Sequence, residues 1–246
     1  MARPTALVIG VGAEQGLGAA LCRRFAAEGH HVLLAGRTAP KLDKVARSLV
    51  AAGGSAEAVV ADVTREDEVA RLFDRAMAPG PGFAQVDLVV FNAGDNRRVG
   101  LREIDAALFE ALWRVGCFAG FLVGREAARR LAPLGRGTVV FTGATASLRG
   151  GNGFAGFAAA KAGLRMVAQS MAREFGPQGL HVAHVVIDGG VDGARLRSAF
   201  PERAAAAGED GLLQPDAVAE AYWQLHRQQR SAWTHELDLR PFRESF

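Results

Sequence analysis

Short, unbroken apolar runs alternate along the chain with longer segments whose apolar residues recur every three or four positions. The short runs fall at Ala6–Ile9, His31–Ala35, Ala56–Ala61, Val86–Phe91, Gly137–Thr142 and His181–Ile187, with a late alternating one at Glu236–Leu239. Several are continuous Val, Leu and Ile, the pattern of strands buried on both faces of a parallel sheet. The amphipathic segments are Gly16–Glu28, Pro40–Ala52, Glu66–Met77, Ile104–Leu131, Phe154–Phe175 and Pro215–Gln228, and they predict helices. Repeated strand–helix alternation predicts an α/β fold: one doubly wound domain over residues 1–246, with about seven mainly parallel strands flanked by helices on both faces. Pro79-Gly80-Pro81-Gly82 reads as a turn before the fourth strand rather than a linker. The Ala/Gly/Arg-rich stretch 192–212 reads as a mobile helical flap outside the core.

Composition narrows the class. The chain has 246 residues, 49% hydrophobic and 22% charged, an ordinary globular balance that disfavours disorder. Net charge is only +3, and no Lys/Arg run reaches five residues, so no nucleic-acid partner is expected. The two cysteines, Cys22 and Cys117, supply neither a disulfide framework nor a zinc cluster. No stretch of 18 apolar residues occurs, and strand pattern begins a few residues from Met1. These features predict a cytoplasmic chain with neither a membrane span nor a signal peptide. Lysine occurs only at Lys41, Lys44 and Lys161, so each lysine is informative.

The first strand runs into Gly10-Val-Gly12-Ala-Glu-Gln15-Gly16-Leu17-Gly18 and then a helix. Such a glycine turn lets backbone N–H groups approach a pyrophosphate at a helix N-terminus; the plainer reading is a tight strand–helix turn. The second strand ends in Gly36-Arg37, with no acid nearby. An acid there reads a free ribose 2′-hydroxyl and an arginine accepts a 2′-phosphate, so NADP(H) is favoured over NAD(H), unless Arg37 is simply solvated. The third strand ends in Asp62-Val63-Thr64, where Asp62 or Thr64 also reads as a helix N-cap. The fourth ends in Asn92-Ala93-Gly94, which could be turn chemistry alone.

Taken in order, Gly12-x3-Gly16-x-Gly18, Asp62-Val63, Asn92-Ala93-Gly94 and a helical Lys161 resemble the classical short-chain dehydrogenases/reductases, from about residue 5 to 192. Each motif is weak or moderate alone, and the ordered set is specific. The resemblance implies a seven-stranded Rossmann-like domain, a nicotinamide cofactor, a small-molecule substrate, and a homodimer or homotetramer. It assigns the cofactor to Gly12, Gln15, Gly16, Leu17, Gly18, Arg37, Asp62, Val63, Asn92, Ala93, Gly94, Lys161 and Asp192.

The family's reaction uses a Ser-Tyr-Lys set backed by an Asn. At the matching positions this chain has Ala144, Phe157 and Gly116, and only Lys161 is retained. Carbonyl reduction needs a proton for the forming alkoxide, which a phenol near a Lys⁺ supplies while the Ser holds the oxygen. Phe157 has no O–H and Ala144 no Oγ. Losing positioned proton transfer costs about 10²–10⁴-fold and losing an oxyanion donor about 10²–10³-fold. Asp192, Asp95 and Asn96 are the candidate stand-ins. The family's Pro-Gly and following Thr are matched by Ile187-Asp188 and then Asp192. His181, His184 and the single tyrosine, Tyr222, read as packing residues, and Ser147 should turn away from the sheet edge. Two functions fit these residues. One is an NADP(H) oxidoreductase passing hydride to a pre-activated acceptor. The other is a catalytically silent NADP-binding sensor or partner subunit.

Overall fold

The computed structural model describes residues 2–244, the side chain of Arg203 excepted. Seven strands form one sheet: β1 (Arg3–Ile9), β2 (His31–Gly36), β3 (Ser55–Val60), β4 (Phe83–Phe91), β5 (Thr138–Thr142), β6 (His181–Ile187) and β7 (Glu236–Leu239). Their order is β3-β2-β1-β4-β5-β6-β7, and every pairing is parallel. The expected doubly wound, Rossmann-like α/β fold is therefore present.

Alternation along each strand explains the unbroken apolar runs. In β1, Leu7 and Ile9 enter one core with Leu33, Phe73, Val89, Phe91, Phe141 and Leu164. Ala6 and Val8 enter a second core on the other face with Leu21, Phe25, Leu34, Val90 and Tyr222. Both faces are covered, so neither can be polar.

Helices α1 (Leu17–Ala27), α2 (Ala39–Ala51) and α3 (Glu66–Met77) lie where the pattern predicts them, within a residue or so at each end. The Ile104–Leu131 expectation is corrected. It divides into α4 (Ala106–Trp113), a π-helical turn at Arg114–Phe118, and α5 (Ala119–Leu131). Asp105 caps α4, its Oδ1 accepting from the Leu108 N–H at 2.7 Å. The run continues to Leu134, and over Ala106–Leu134 it is long and apolar enough to cross a membrane by length and composition alone. Core helices pass the same test, and here Leu112, Ala119, Leu122 and Val123 are buried within the fold. Beyond lie α6 (Ala155–Phe175), α7 (Ala194–Ala199), α8 (Pro201–Ala206) and α9 (Pro215–His226). The 192–212 stretch thus supplies two short helices.

β4 starts three residues before its apolar run. Phe83 pairs with Arg3 of β1 and stacks on His31, ring centroids 4.0 Å apart, so cross-strand packing extends the strand through Gln85 and Asp87. Strand order reverses at β1 and β4, and the crevice beyond their carboxyl ends is where such sheets take ligands.

Candidate functional site

Two loops meet at that crevice. Gly10 follows β1 with φ +91°, and a Cβ there would lie 2.6 Å from the Ala93 nitrogen and 2.7 Å from the Asn92 carbonyl carbon. Only glycine permits both the left-handed backbone and this approach. The Asn92 N–H donates to the Ile9 carbonyl at 2.8 Å, and its Nδ2 donates to the Gly10 carbonyl at 3.3 Å. Asn92 thus clamps the two loops together. Gly10→Ala is expected to cost about 2 kcal/mol or more, from strain plus overpacking, measured as a lower urea midpoint at unchanged slope.

Gly18, in the first turn of α1, packs against the same loop: a Cβ would meet the Gly10 carbonyl oxygen at 2.9 Å. Gly12 faces open space, with nothing within 4 Å of a Cβ. Gly16 is the N-cap of α1, makes no side-chain cap, and no acid follows in the first turn. The first N–H groups of α1, beginning at Leu17, therefore keep the unpaired donors and partial positive charge of a helix start. An open glycine cradle under an uncapped helix N-terminus fits a dinucleotide pyrophosphate. Glu14, the loop's one acid, is turned to Lys44, with oxygen and nitrogen 2.9 Å apart. The flap begins on this loop, since a Cβ on Gly193 would stand 2.7 Å from the Gln15 carbonyl oxygen.

Arg37 follows β2 and is exposed. The Asp62 carboxylate accepts from the Thr64 N–H at 3.0 Å and its hydroxyl at 2.8 Å. Burial would raise the Asp62 carboxyl, but the Thr64 bonds and the Arg37 and Arg65 charges outweigh it and hold it below its ordinary value. The N-cap reading of Asp62 or Thr64 is corrected: the α3 N-cap is Arg65, and Asp62 closes its own turn. Val63 beside it is buried in the core.

Lys161 lies on α6, 4% exposed. Its Nζ donates to the Thr142 carbonyl at the end of β5 (2.7 Å) and to Ala93 after β4 (3.4 Å). A Cβ on Gly94 would come within 3.2 Å of this Nζ. Burial without a carboxylate partner pulls the Lys161 ammonium down to about 8. The Phe157 ring, one turn earlier, has its centroid 6.0 Å from Nζ. Gly116 sits in the π-helical turn, where a Cβ would be 2.8 Å from that of Ala160, so the helices touch there. A π turn at a helix crossing is a common device beside a site.

The Ala144 N–H donates to Ser147 Oγ at 3.1 Å, and Ser147 is buried. Its Oγ is 3.3 Å from His184 Nε2, and His184 Nδ1 is 3.1 Å from Glu236 Oε2. Arg165 Nε and Nη2 both donate to that carboxylate, at 2.6 and 2.7 Å. Burial lowers His184 to about 4, so the ring is neutral at pH 7. This chain was not visible in the sequence, because it depends on the β6–β7 register that sets His184 opposite Glu236. The Tyr222 hydroxyl, fully buried, donates to Thr142 Oγ1 at 2.9 Å.

Of the candidate stand-ins, Asp192 and Asp95 are ion-paired to α7 and Asn96 is exposed. Arg197 donates to both Asp192 oxygens, at 2.6 and 2.9 Å. That pairing holds the Asp192 carboxyl below its ordinary value, so at neutral pH it has no proton to give. Asp95 accepts from Arg195 at 2.7 Å, tying the loop after β4 to α7. Asp188 accepts from the Thr145 hydroxyl at 2.6 Å and joins the ends of β5 and β6.

Comparison with known proteins bears on this crevice. The short chain dehydrogenase family profile matches residues 5–204. An uncharacterized oxidoreductase of Bacillus subtilis (strain 168), YuxG, is 34% identical over 225 residues, 89% of this chain. This chain spans only 31% of that protein's length. The crystal structure of a short-chain dehydrogenase from Rhodopseudomonas palustris superposes with a TM-score of 0.81 at 41% identity, covering 97% of this chain and 99% of that one. A metagenomic short-chain oxidoreductase in complex with NADP superposes with a TM-score of 0.81 at 26% identity, covering 97% and 96% of the two chains. With the seven-stranded parallel sheet and its glycine cradle, these similarities establish that the chain belongs to the short-chain dehydrogenase family of oxidoreductases.

Proposed function

We propose that this chain binds NADP(H) and transfers hydride to or from a substrate that needs no proton from the enzyme: an iminium, a quinonoid ring or a conjugated enone. The observation that carries this reading is the setting of Lys161, which is buried at the crevice beside a phenylalanine ring where the family carries a tyrosine. A buried lysine without a carboxylate is costly to keep, and holding the nicotinamide ribose hydroxyls is the role that accounts for it. Bound there, the cofactor would supply the hydride. Gly12, Gly16, Leu17 and Gly18 would hold the pyrophosphate, Asp62 and Val63 the adenine side, and Asn92, Ala93 and Gly94 the floor of the crevice. Gln15 and Asp192 would border it where the flap meets the glycine loop. Phe157 and Ala144 would leave an apolar wall against the acceptor, suited to a flat conjugated ring. The exposed Phe121 and Met166 on α5 and α6 support a homo-oligomer built through that helix pair.

Arg37 supports NADP(H) over NAD(H), since its fork matches a 2′-phosphate and Asp62 is turned into its own loop. Arg37→Ala is expected to weaken NADPH binding about 10–100-fold while leaving NADH unchanged, read by calorimetric titration of both. Equal weakening of both would assign Arg37 to the fold instead.

The test of function is NADPH oxidation against a panel of iminium ions, quinones and enones, with simple ketones alongside. Turnover confined to the activated acceptors and abolished by Lys161→Ala supports the proposal, and turnover of simple ketones at family-like rates contradicts it. The second reading, a silent NADP-binding sensor or subunit, draws on the flap ion pairs Arg195–Asp95 and Arg197–Asp192, which tie the crevice rim to itself. It predicts NADPH binding with no turnover of any acceptor.

A further inference from the structure

Far from the crevice, toward the amino ends of the strands, three ligating side chains converge. The first is His30. The Gly29 N–H donates to the Ala26 carbonyl and the His30 N–H to Phe25, each at 3.0 Å, with Gly29 at φ +90°. This double bond closes α1 and fixes His30 at the entry to β2. The ring is 3% exposed and stands edge-on to Trp223 and to His226, with centroids 5.6 and 5.7 Å away. The second is Asp87 of β4, whose Oδ1 lies 3.5 Å from His30 Nε2. The third is His226, the last residue of α9. Its Nδ1 is 2.9 Å from Thr138 Oγ1 at the start of β5, which leaves Nε2 for another partner. One ligand atom from each of the three residues lies within 4.8 Å of the others.

Buried polar atoms are normally paired. Here both nitrogens of His30 and Oδ1 of Asp87 are buried with no hydrogen-bond partner among the described residues. Two of these orphans, His30 Nε2 and Asp87 Oδ1, face each other across 3.5 Å from two separate elements, with His226 of a third close by, and they mark a missing common partner. The geometry points to a cation. Ligands about 2.0–2.1 Å from a tetrahedral ion stand roughly 3.4 Å apart. The His30–Asp87 pair, 3.5 Å apart, already meets that spacing, and His226, within 4.8 Å of both, completes it on closing by at most about 1.4 Å.

We propose that His30, Asp87 and His226 bind one divalent transition-metal ion, with water as the fourth ligand, and that zinc suits the donor set best. Two imidazoles and one carboxylate favour zinc over the oxygen-seeking magnesium and calcium. Thr138 supplies the outer contact that orients a ligating imidazole. The ion would tie the entry of β2, the middle of β4 and the end of α9 together, on the side of the sheet remote from the coenzyme. Its role would be to brace the fold.

The test uses the full chain after chelator treatment. Zinc chloride is titrated by calorimetry and cobalt(II) by visible absorption, for the wild type, Asp87→Asn and His226→Gln. Asp87→Asn keeps the shape of the side chain, and His226→Gln provides an independent variant should the first fail to fold. The proposal expects one zinc per chain, intense tetrahedral cobalt bands, and a zinc-induced rise in melting temperature. Each variant should bind at least about tenfold more weakly, since even outer-contact losses have that effect. No stoichiometric zinc binding by the wild type overturns the site and leaves the direct His30–Asp87 contact as its content. Binding that is undiminished in both variants overturns it equally, because the metal then sits elsewhere.

Discussion

Installing both absent groups at once, Phe157→Tyr with Ala144→Ser, is expected to raise NADPH-dependent reduction of simple ketones by about 10²–10⁴-fold over the wild type. The site is prepared for them. The ring at 157 already lies beside Lys161, centroid to Nζ 6.0 Å, and a phenol there would have its pKa lowered by the neighbouring ammonium. Ala144 is partly open at the end of β5, so a hydroxyl there leaves no buried orphan. Each single variant is expected to gain little, because proton donor and oxyanion donor act as a unit. Steady-state rates over a ketone panel, at saturating NADPH, check this. A double variant that binds NADPH yet stays inert would mean that the missing hydroxyls are not what sets this site apart.

Lys161→Met should have two separable effects. Removing the buried ammonium should weaken NADPH at least about tenfold, because a charge-assisted donor to the ribose is lost. It should also change how stability depends on pH. Burial lowers Lys161 from 10.5 to about 8 in the folded chain, and the group regains its ordinary value on unfolding. Between those pH values the unfolded state binds the extra proton, so stability rises with pH across the window. The wild type should therefore gain on Lys161→Met by about 3 kcal/mol from pH 8 to 10.5, as an upper bound. Urea unfolding of both proteins across that window reads the difference. Parallel curves would show that Lys161 titrates normally and is not held in the low-dielectric setting described here.

Much of this was legible in the residues. Apolar runs located the central strands because strands buried on both faces admit few polar side chains, while the edge strand β7 showed itself by alternation. The glycine spacing located the cradle because Gly10 and Gly18 are sterically required where β1 meets the loop after β4. What escaped depends on contacts distant in the chain. The π turn at Arg114–Phe118 arises where α6 presses Ala160 on Gly116, a meeting that local periodicity does not encode. Asp192 is a candidate stand-in in sequence, and only the turn of α7 brings Arg197 onto it. His184 and Glu236 are joined by strand register, and Ser147 reaches His184 from the turn after β5. Asp62 as an N-cap failed for a local reason: its side chain satisfies Thr64 before α3 begins.

The central proposal is that the dinucleotide site is live although Phe157 and Ala144 stand where the resemblance places the proton relay. Calorimetric titration of NADPH and NADH into the purified wild-type chain tests it most directly. The account predicts micromolar NADPH binding at one site per chain, with NADH weaker. The absence of binding heat with either cofactor, in a chain shown to be folded, would contradict it and leave the glycine cradle as architecture alone.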